Sequence, residues 1–330
     1  MGKKVGIPRS LFYYKYYPLW KTFLEELGAE IIVSDATNKH ILDAGVKACV
    51  DEACLPVKLF HGHVLNLADR VDCIFVPRFT SISRNEYVCP EFGGLPDMVR
   101  HTLKGIPTLI DAEVNLRKSG KNSWRAAYET GCYFTQDKAR IKRAFKLAIR
   151  DYRAYRNKIR KGYLPSGDTG SACRNCATGG DKQLKIAVIG HSYNLYDRYI
   201  NMDMLEKLRK SGASVITVDM LEEEDINRWA ATLNKPAFWN FGRKALGGVL
   251  HLMEGKDIDG IIYVMSFGCG IDSFVCDLAQ RWIKRRTDIP FIILTLDEHS
   301  GEAGLTTRLE AFIDMIGWRR LNDNNVSASG

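Results

Sequence analysis

The chain has 330 residues, of which 45% are hydrophobic and 26% charged, with a formal net charge of +8 and nine cysteines. This length suits two ordinary domains of about 150 residues each. No apolar run reaches the roughly 18 to 20 residues that span a bilayer, and the N-terminus MGKKVGIPRS lacks the apolar core of a signal peptide. We therefore expect a cytoplasmic protein with no membrane partner, in which cysteines indicate metal or redox chemistry because cytosolic thiols stay reduced.

The first half of the chain alternates short apolar runs with helix-like stretches. The runs VGIP, EIIVSD, CIFVP and PTLID predict buried strands, and stretches such as LWKTFLEELG predict amphipathic helices between them. The segment RIKRAFKLAIRDYRAYRNKIRKG predicts a long basic helix whose apolar positions are Ile141, Phe145, Leu147, Ile149 and Tyr152. We interpret its charges as a solvated face rather than a nucleic-acid surface, because no nucleic-acid-binding motif accompanies them.

A second α/β segment follows a loop-like stretch. Residues 163–183, YLPSGDTGSACRNCATGGDKQ, are rich in Gly, Ser and Thr and predict a linker. Beyond it KIAVIG, SVITVD, GIIYVMS and PFIILTLD predict strands, with helices such as FVCDLAQRWIKRR between them. Apolar strands that alternate with helices are typical of parallel sheets covered on both faces. We predict two doubly wound α/β domains, residues 1–162, which end in the basic helix, and residues 184–330.

Two cysteines follow predicted strands. In such sheets ligands bind at the carboxyl ends of the strands, where loops lead into helices. Cys269 comes directly after GIIYVM in SFGCGID, and its neighbours Gly268 and Gly270 would let a bulky group approach the backbone. Cys89 lies in a loop of roughly a dozen residues after CIFVP, which is longer than the usual 2 to 6 residues of such a connection. Both cysteines are therefore candidate site residues.

Two more cysteines lie at predicted helix ends. Cys54 precedes Pro56, and proline suits the first turn of a helix, where free N–H groups stabilise a thiolate or an anionic cluster. Cys132, in ETGCYFT, lies at a glycine-marked break between two helical segments. We count both among the candidate ligands.

The other five cysteines carry weaker signals. Cys73 lies inside a predicted strand and is most simply a small buried hydrophobic residue. For Cys49 and Cys276 the sequence allows either a place in the hydrophobic core or a role as a ligand. Cys173 and Cys176 form a CxxC in the predicted linker, and without a second pair at metal spacing we interpret them as incidental or regulatory.

Several common functions lack their sequence motifs. There is no GxxxxGK[ST], and GIPRSLF and GHSYNLY stand where a GxGxxG would open the first helix of each half. We therefore expect no bound nucleotide and no ATP hydrolysis by this chain. There is also no GxSxG hydrolase elbow. Structural zinc sites usually draw ligands in close pairs, so dispersed thiolates from both domains better suit an iron–sulfur cluster.

Four stretches carry a family resemblance: ACLPVKLFHGHV, VCPEFGGLP, FGCGIDS and DEHSGEAGLTTRLEAFIDM. With them the chain resembles the 2-hydroxyglutaryl-CoA dehydratase D-component family, and more closely the proteins named as acyl-CoA dehydratase activase-related. The resemblance implies two flavodoxin-like domains with a cysteine-ligated iron–sulfur cluster in their cleft. It also implies a separate ATP-hydrolysing activase as electron donor. A relative in this family, the double-cubane cluster protein, carries an eight-iron cluster and reduces small molecules.

The resemblance also implies a ligand set. By position, the cysteine ligands of the family fall on Cys54, Cys89, Cys269 and Cys132. Four ligands would complete a single 4Fe-4S cubane, whereas six, with Cys49 and Cys276, would suit a double-cubane eight-iron cluster. The sequence leaves both cluster types open.

Charged and polar residues near these cysteines receive predicted roles. Lys58, one turn after Cys54, would offset the negative charge of a cluster. His61 and His63 could donate hydrogen bonds to sulfur, but we favour satisfied polar residues on a partly exposed helix. His299 and Glu302 follow the strand PFIILTL and are candidate proton donors to a substrate at the cluster. An equally weighted alternative is that Glu302 caps the helix that follows.

Two functions remain in view. The first is an iron–sulfur reductase or dehydratase-like enzyme that an ATP-dependent activase supplies with electrons, acting on a small molecule or an acyl-CoA. The second is a non-catalytic cluster carrier or accessory protein of such a system. An open ligand position and a substrate-sized cavity beside the cluster would favour the enzyme. Because the family works as pairs of related subunits, we also expect a homodimer.

Overall fold

The structure, a computed structural model, describes residues 2–165, 172–174, 183–255 and 257–327 of the chain. Most of the predicted linker therefore lies outside the described residues, and the predicted domain limits stay predictions. Among the described residues no helix is long and apolar enough to cross a membrane.

The first half of the chain alternates strands and helices as predicted, and its elements follow here with their bounds. The strands are β1 (Lys4–Ile7), β2 (Glu30–Val33), β3 (Cys73–Phe75), β4 (Arg78–Ser81), β5 (Thr108–Ile110) and β6 (Glu113–Asn115). The helices are α1 (Tyr13–Glu26), α2 (Lys39–Ala48), α3 (Leu55–Leu67), α4 (Pro90–Thr102), α5 (Asn122–Gly131) and α6 (Lys138–Arg160). An antiparallel pair, β7 (Tyr163–Pro165) and β8 (Ala172–Arg174), follows.

The second half repeats this alternation. Its strands are β9 (Leu184–Gly190), β10 (Ala213–Thr217), β11 (Gly260–Ser266) and β12 (Phe291–Leu296). Its helices are α7 (Ser192–Tyr196), α8 (Met204–Lys210), α9 (Glu223–Ala230), α10 (Asn240–Gly255), α11 (Gly270–Arg286) and α12 (Glu302–Ser327). A 3-10 turn, Val218–Met220, follows β10.

Each half is built on a parallel sheet with the same strand order. The described strands form one sheet in the order β2-β1-β3-β5 and another in the order β10-β9-β11-β12, and every pairing in both is parallel. In each sheet the first strand of the half lies between the second and the third, as in flavodoxin-like folds. The predicted fold class, with its eight sheet strands, is confirmed. The short parallel pair β4–β6 was not expected.

The two halves pack against each other. Val5 of β1 and Ile186 of β9 belong to one continuous hydrophobic cluster. Polar contacts also cross from one half to the other: the Thr37 hydroxyl donates to Asp197 Oδ2 at 2.5 Å, and Asn240 Nδ2 donates to Ser83 Oγ at 2.9 Å. A cleft lined by both halves is therefore held in place from several sides.

The basic helix α6 differs in part from its interpretation as a solvated face. Ile141 is fully buried, as predicted, and Lys142 and Lys146 are exposed. Arg156, however, is only 16% exposed, and its Nη2 donates to the Asp219 carbonyl at 3.1 Å. One end of this helix is thus inserted between the halves.

Helices α2 and α3 pack closely because each has a glycine at the contact. A Cβ on Gly45 would overlap the carbonyl oxygen of Lys58, and a Cβ on Gly62 would overlap that of Ile41. The backbones could not approach this closely with any larger residue. The contact fixes the position of α3, whose N-terminus enters the site described below.

We predict that Gly45→Ala and Gly62→Ala each lower the free energy of unfolding by about 1–3 kcal/mol, because the helices must move apart. Gly94→Ala is the matched control: it lies in α4 with nothing within 4 Å of the position of its Cβ. This substitution should stabilise by roughly 0.5–1 kcal/mol, since alanine loses less backbone entropy than glycine. Urea unfolding measures all three, and equal stabilities would contradict the packing argument.

Candidate functional site

Three cysteines that directly precede helices line one cavity. Cys54 precedes α3, Cys89 precedes α4 and Cys269 precedes α11. The cavity has a volume of about 80 Å³, and its walls come from both halves of the chain. Three of the four predicted cysteine ligands therefore come together in the cleft between the sheets.

The loop between β11 and α11 reaches the start of α3 at a glycine. Gly268 has φ +81°, a left-handed conformation that L side chains rarely adopt, and a Cβ there would lie 3.5 Å from Cys54 Cα. Gly270 is the first residue of α11, and nothing lies within 4 Å of its Cβ position. The two glycines therefore differ: Gly268 brings Cys269 towards Cys54, whereas Gly270 leaves open space.

The sulfurs are thiols in this state. Burial is the main cause that raises the pKa of Cys89 to about 11 and that of Cys269 to about 12, and it raises the pKa of Cys54 further still. Glu91 adds to each rise; its Oε2 accepts from Cys54 Sγ at 3.3 Å and lies 3.9 Å from Cys89 Sγ. A cation among the sulfurs would favour the thiolates and release their protons.

The helix starts oppose the effect of burial. Backbone N–H groups lower the pKa of each thiol, though less than burial raises it: that of Val57 for Cys54, those of Glu91 and Phe92 for Cys89, and that of Asp272 for Cys269. The positive ends of three helix dipoles thus point at one small cavity. Thiolates are the ordinary ligands of iron–sulfur clusters, which carry negative charge when bound. The donor set and the helix termini therefore fit such a cluster.

A histidine that lines the cavity and a fully buried aspartate lie beside Cys269. A ring nitrogen of His191, Cys269 Sγ and a carboxylate oxygen of Asp272 all lie within 4.8 Å of one another. The His191 ring stacks between Tyr193 and Phe241, with centroid distances of 4.6 Å and 3.4 Å. This sandwich fixes the orientation of the imidazole beside the sulfur.

Burial sets the protonation of this pair. It lowers the pKa of His191 to about 3 and raises that of Asp272 to about 7, so the imidazole is neutral and the carboxyl holds a proton part of the time near neutrality. The Tyr263 hydroxyl donates to Asp272 Oδ1 at 2.7 Å. Asp272 Oδ2 lies 3.9 Å from His191 Nε2 and has no hydrogen-bond partner among the described residues. Asp272 can therefore hold a proton next to Cys269, with the neutral imidazole of His191 beside it.

Glu91, His191 and Asp272 were not predicted from the sequence. His191 follows β9 directly, so the rule that ligands bind at strand ends would have found it. Glu91 and Asp272 lie in the first turns of α4 and α11, where an acidic residue ordinarily indicates only a favourable helix start. Their roles follow from the convergence of the helices, which no local pattern predicts.

The lysine predicted to offset the cluster charge lies in an ion pair between the halves. Lys58 is buried, and its Nζ lies 2.8 Å from Glu298 Oε1. It is not among the residues that line the cavity. In this structure Lys58 joins α3 to the loop after β12.

The two histidines of α3 are fully buried rather than partly exposed. His63 lies 2.8 Å from Ser34 Oγ through Nδ1 and 3.1 Å from Thr37 Oγ1 through Nε2. His61 Nδ1 donates to the Val57 carbonyl at 2.8 Å, while its Nε2 has no hydrogen-bond partner among the described residues. Neither histidine lines the cysteine cavity. Both ring nitrogens of His63 lie within hydrogen-bond distance of a hydroxyl, as favoured above for a structural residue, whereas only one ring nitrogen of His61 has a partner among the described residues.

The structure does not bring Cys132, His299 or Glu302 to the cavity. Cys132 follows α5 and packs, half-buried, against the hydrophobic cluster that contains Ile141. His299 is exposed. Glu302 is the first residue of α12 and lies 2.7 Å from Lys207 Nζ, also exposed.

The remaining cysteines lie in the places that the weaker signals allowed. Cys73 is fully buried in β3, and Cys276 is a residue of α11 that is buried in the core. Cys49 follows α2 and is half-buried. The predicted CxxC of Cys173 and Cys176 lies outside the residues whose side chains are described.

Two family models match the chain. The model described as CoA enzyme activase uncharacterised domain (DUF2229) matches residues 4–221, which include Cys54 and Cys89. The model described as 2-hydroxyglutaryl-CoA dehydratase, D-component, matches residues 187–316, which include Cys269. No curated protein matches the chain. The two matches agree with the resemblance found in the sequence.

We predict that Gly268→Ala lowers the free energy of unfolding by about 1–3 kcal/mol, because alanine is strained at this positive φ. The matched control, Gly270→Ala, should change stability by less than about 0.5 kcal/mol, since its Cβ enters open space. Urea unfolding of the two variants decides the matter. An equal loss in both would show that the loop conformation is not what requires a glycine.

Proposed function

The chain belongs to the family of CoA enzyme activase uncharacterised domains, and we propose that it is an iron–sulfur protein that receives electrons from a separate ATP-dependent activase. It is a component of the 2-hydroxyacyl-CoA dehydratase type. The observation that carries the proposal is the convergence of Cys54, Cys89 and Cys269, each at a helix start, on one buried cavity. When bound, the cluster would accept a low-potential electron and pass it to a substrate.

The residues around the cavity support this chemistry in distinct ways. The three cysteines would hold the cluster, and the helix N-termini would offset its negative charge. Tyr193 lies against the sulfurs and, with its neighbours, excludes water from this side of the cavity. Asp272 and His191 would hold or deliver a proton next to Cys269.

Two observations favour an enzyme over a cluster carrier. Among the described cysteines three line the cavity, which would leave one ligand position open in a cubane with four iron sites. A second cavity of about 520 Å³ shares Lys15, Ile82, Asn240 and Lys244 with the first. That volume lies in the range of about 300–1,000 Å³ typical of small-molecule sites. We therefore propose a reductase or dehydratase-like enzyme that acts on a small molecule or an acyl-CoA.

Exposed apolar side chains support two proposed partners. Phe267 and Phe274, 66% and 71% exposed, flank Cys269 in the sequence and offer a docking surface for the activase. Met315, Trp318 and Leu321, spaced by three along α12, are all exposed and would suit a homodimer contact. Light scattering that gives the mass of one chain at micromolar concentration would contradict the dimer.

The seven described cysteines are free thiols, which suits the reducing cytoplasm.

We predict that Cys54→Ser, Cys89→Ser and Cys269→Ser each lose most of the iron bound after anaerobic reconstitution, because a cluster that lacks one thiolate is readily lost. Two control variants should keep their iron. In Cys73→Ser the new hydroxyl in β3 can donate to the nearby Lys4 carbonyl. In Cys132→Ser the changed residue lies outside the cavity. Iron and sulfide analysis with EPR measures the result, and equal iron in all five variants would refute the ligand assignment.

We also predict that a cognate activase with ATP reduces the reconstituted protein, whereas ATP alone changes neither its visible spectrum nor its nucleotide content. The reason is that the chain has no recognisable phosphate-binding loop. Because the chain carries a net charge of +8, the reduction rate should fall as salt screens charges over the Debye length, about 10 Å at 0.1 M. Hydrolysis of ATP by the isolated chain would overturn this division of roles.

A further inference from the structure

The larger cavity is lined mostly by the first half of the chain and is mostly apolar. Its volume is about 520 Å³, and residues of α1 and of α6 line it. Aromatic rings contribute much of the surface, among them Trp20, Phe75, Phe79, Phe145 and Tyr152. A cavity with such walls favours the hydrocarbon part of a ligand.

One end of the cavity is positively charged. Lys15 of α1, Arg156 of α6 and Lys244 of α10 line it there, where the second half of the chain packs onto the first. Arg156 lies 3.7 Å from Asp219 Oδ1, and Lys244 lies 3.1 Å from Glu223 Oε2. These two carboxylates therefore already have cationic partners.

The charges at this end do not balance. Among the described residues no carboxylate oxygen lies within 4 Å of Lys15 Nζ, which lies near the Lys244 side chain and 5.5 Å from the centroid of the Tyr16 ring. Glu223 is shared between Lys244 and Arg243, and Arg243 also pairs with Glu86. Lys15 therefore has no carboxylate of its own at the edge of an apolar cavity, which the exposed Arg153 also lines. Burial lowers the pKa of Lys15, and it lowers the pKa of Lys244 to about 7. A bound anion would raise both pKa values again, because it favours the charged form of each lysine.

We propose that this cavity binds an apolar monocarboxylate, with its carboxylate on Lys15 and Lys244 and its hydrocarbon part among the aromatic rings. A carboxylate would give Lys15 the anionic partner that it lacks among the described residues. A neutral ligand would leave the lysine without such a partner. The nucleotide part of a CoA ester exceeds a cavity of this volume and would have to remain outside.

The proposal names a ligand class for the cavity offered above as the substrate site, and in that respect it rests on the proposed function. None of the cysteines lines this cavity, although Lys15, Ile82, Asn240 and Lys244 line both cavities. Because a charged group among the sulfurs would act on the same lysines, binding is tested on the full chain without iron. A failure here would leave the ligand assignment of the cysteines, which is tested by iron content, unaffected.

The test is calorimetric titration of the full-length chain with octanoate, octan-1-ol and octylamine. Octanoate should bind at least about tenfold more tightly than the alcohol, because it gains a charge-assisted contact, and the amine should not bind measurably. Lys15→Met, which keeps the length of the side chain but removes its charge, should weaken octanoate binding about tenfold or more. No heat with octanoate, or equal affinity for octanoate and octan-1-ol, would overturn the proposal.

Two further variants distinguish the loss of the Lys15 charge from a general loss of folded structure. Lys21→Met is the matched control: it lies on the same helix, 44% exposed and outside the cavity, and should leave octanoate affinity unchanged. Ala126→Leu should fill the cavity and abolish binding while circular dichroism shows a folded chain. Unchanged affinity in Lys15→Met would refute the proposal even if Ala126→Leu failed to fold. Binding of octanoyl-CoA that depends on Lys15, with none for octanoate, would also refute it.

Discussion

The burial of helix α3 is the constraint on which the site depends. Nearly every residue from Leu55 to Leu67 is buried, including a lysine and two histidines, so the helix has no solvent-facing side along which it could slide or turn. The glycine contact with α2 fixes it from one direction, and the ion pair of Lys58 with Glu298 ties it to the other half. Breaking a buried pair by removing one partner costs several kcal/mol. Cys54, at the start of this helix, is therefore held in place before any ligand binds.

Concentrating sulfur in a buried cavity poses an electrostatic problem that the helix starts address. Three thiolates and Glu91 in so small a space would repel one another, and burial, aided by Glu91, already raises the pKa of each thiol. Three helix N-termini supply positive potential without adding a side chain that would compete for the metal. The neutral His191 and the partly protonated Asp272 avoid further charge of either sign.

Local sequence patterns predicted the strands and the three cysteines that line the cavity, but they did not predict the direction of the loops that carry the other candidate residues. Apolar runs flanked by glycine or proline marked each sheet strand, and the proline after Cys54 marked a helix start. Cys132 also lies at a helix end, but its segment packs on Ile141 instead of turning into the cleft. His299 and Glu302 follow β12, the neighbour of β11, yet Glu302 turns outward to Lys207. Adjacency of strands thus predicted proximity at the sheet edge but not the direction of the loops.

The donor set belongs to neither half alone. Cys54 and Cys89 lie in the part matched by the activase-domain model, which ends at residue 221, and Cys269 lies beyond it in the part matched by the dehydratase model, which begins at residue 187. His191 lies in the overlap of the two matches and Asp272 in the second alone. Each half presents the carboxyl ends of its strands to the cleft with the same strand order. Because that geometry places one helix start opposite another, a buried three-sulfur site arises only when both sheets are present and packed together.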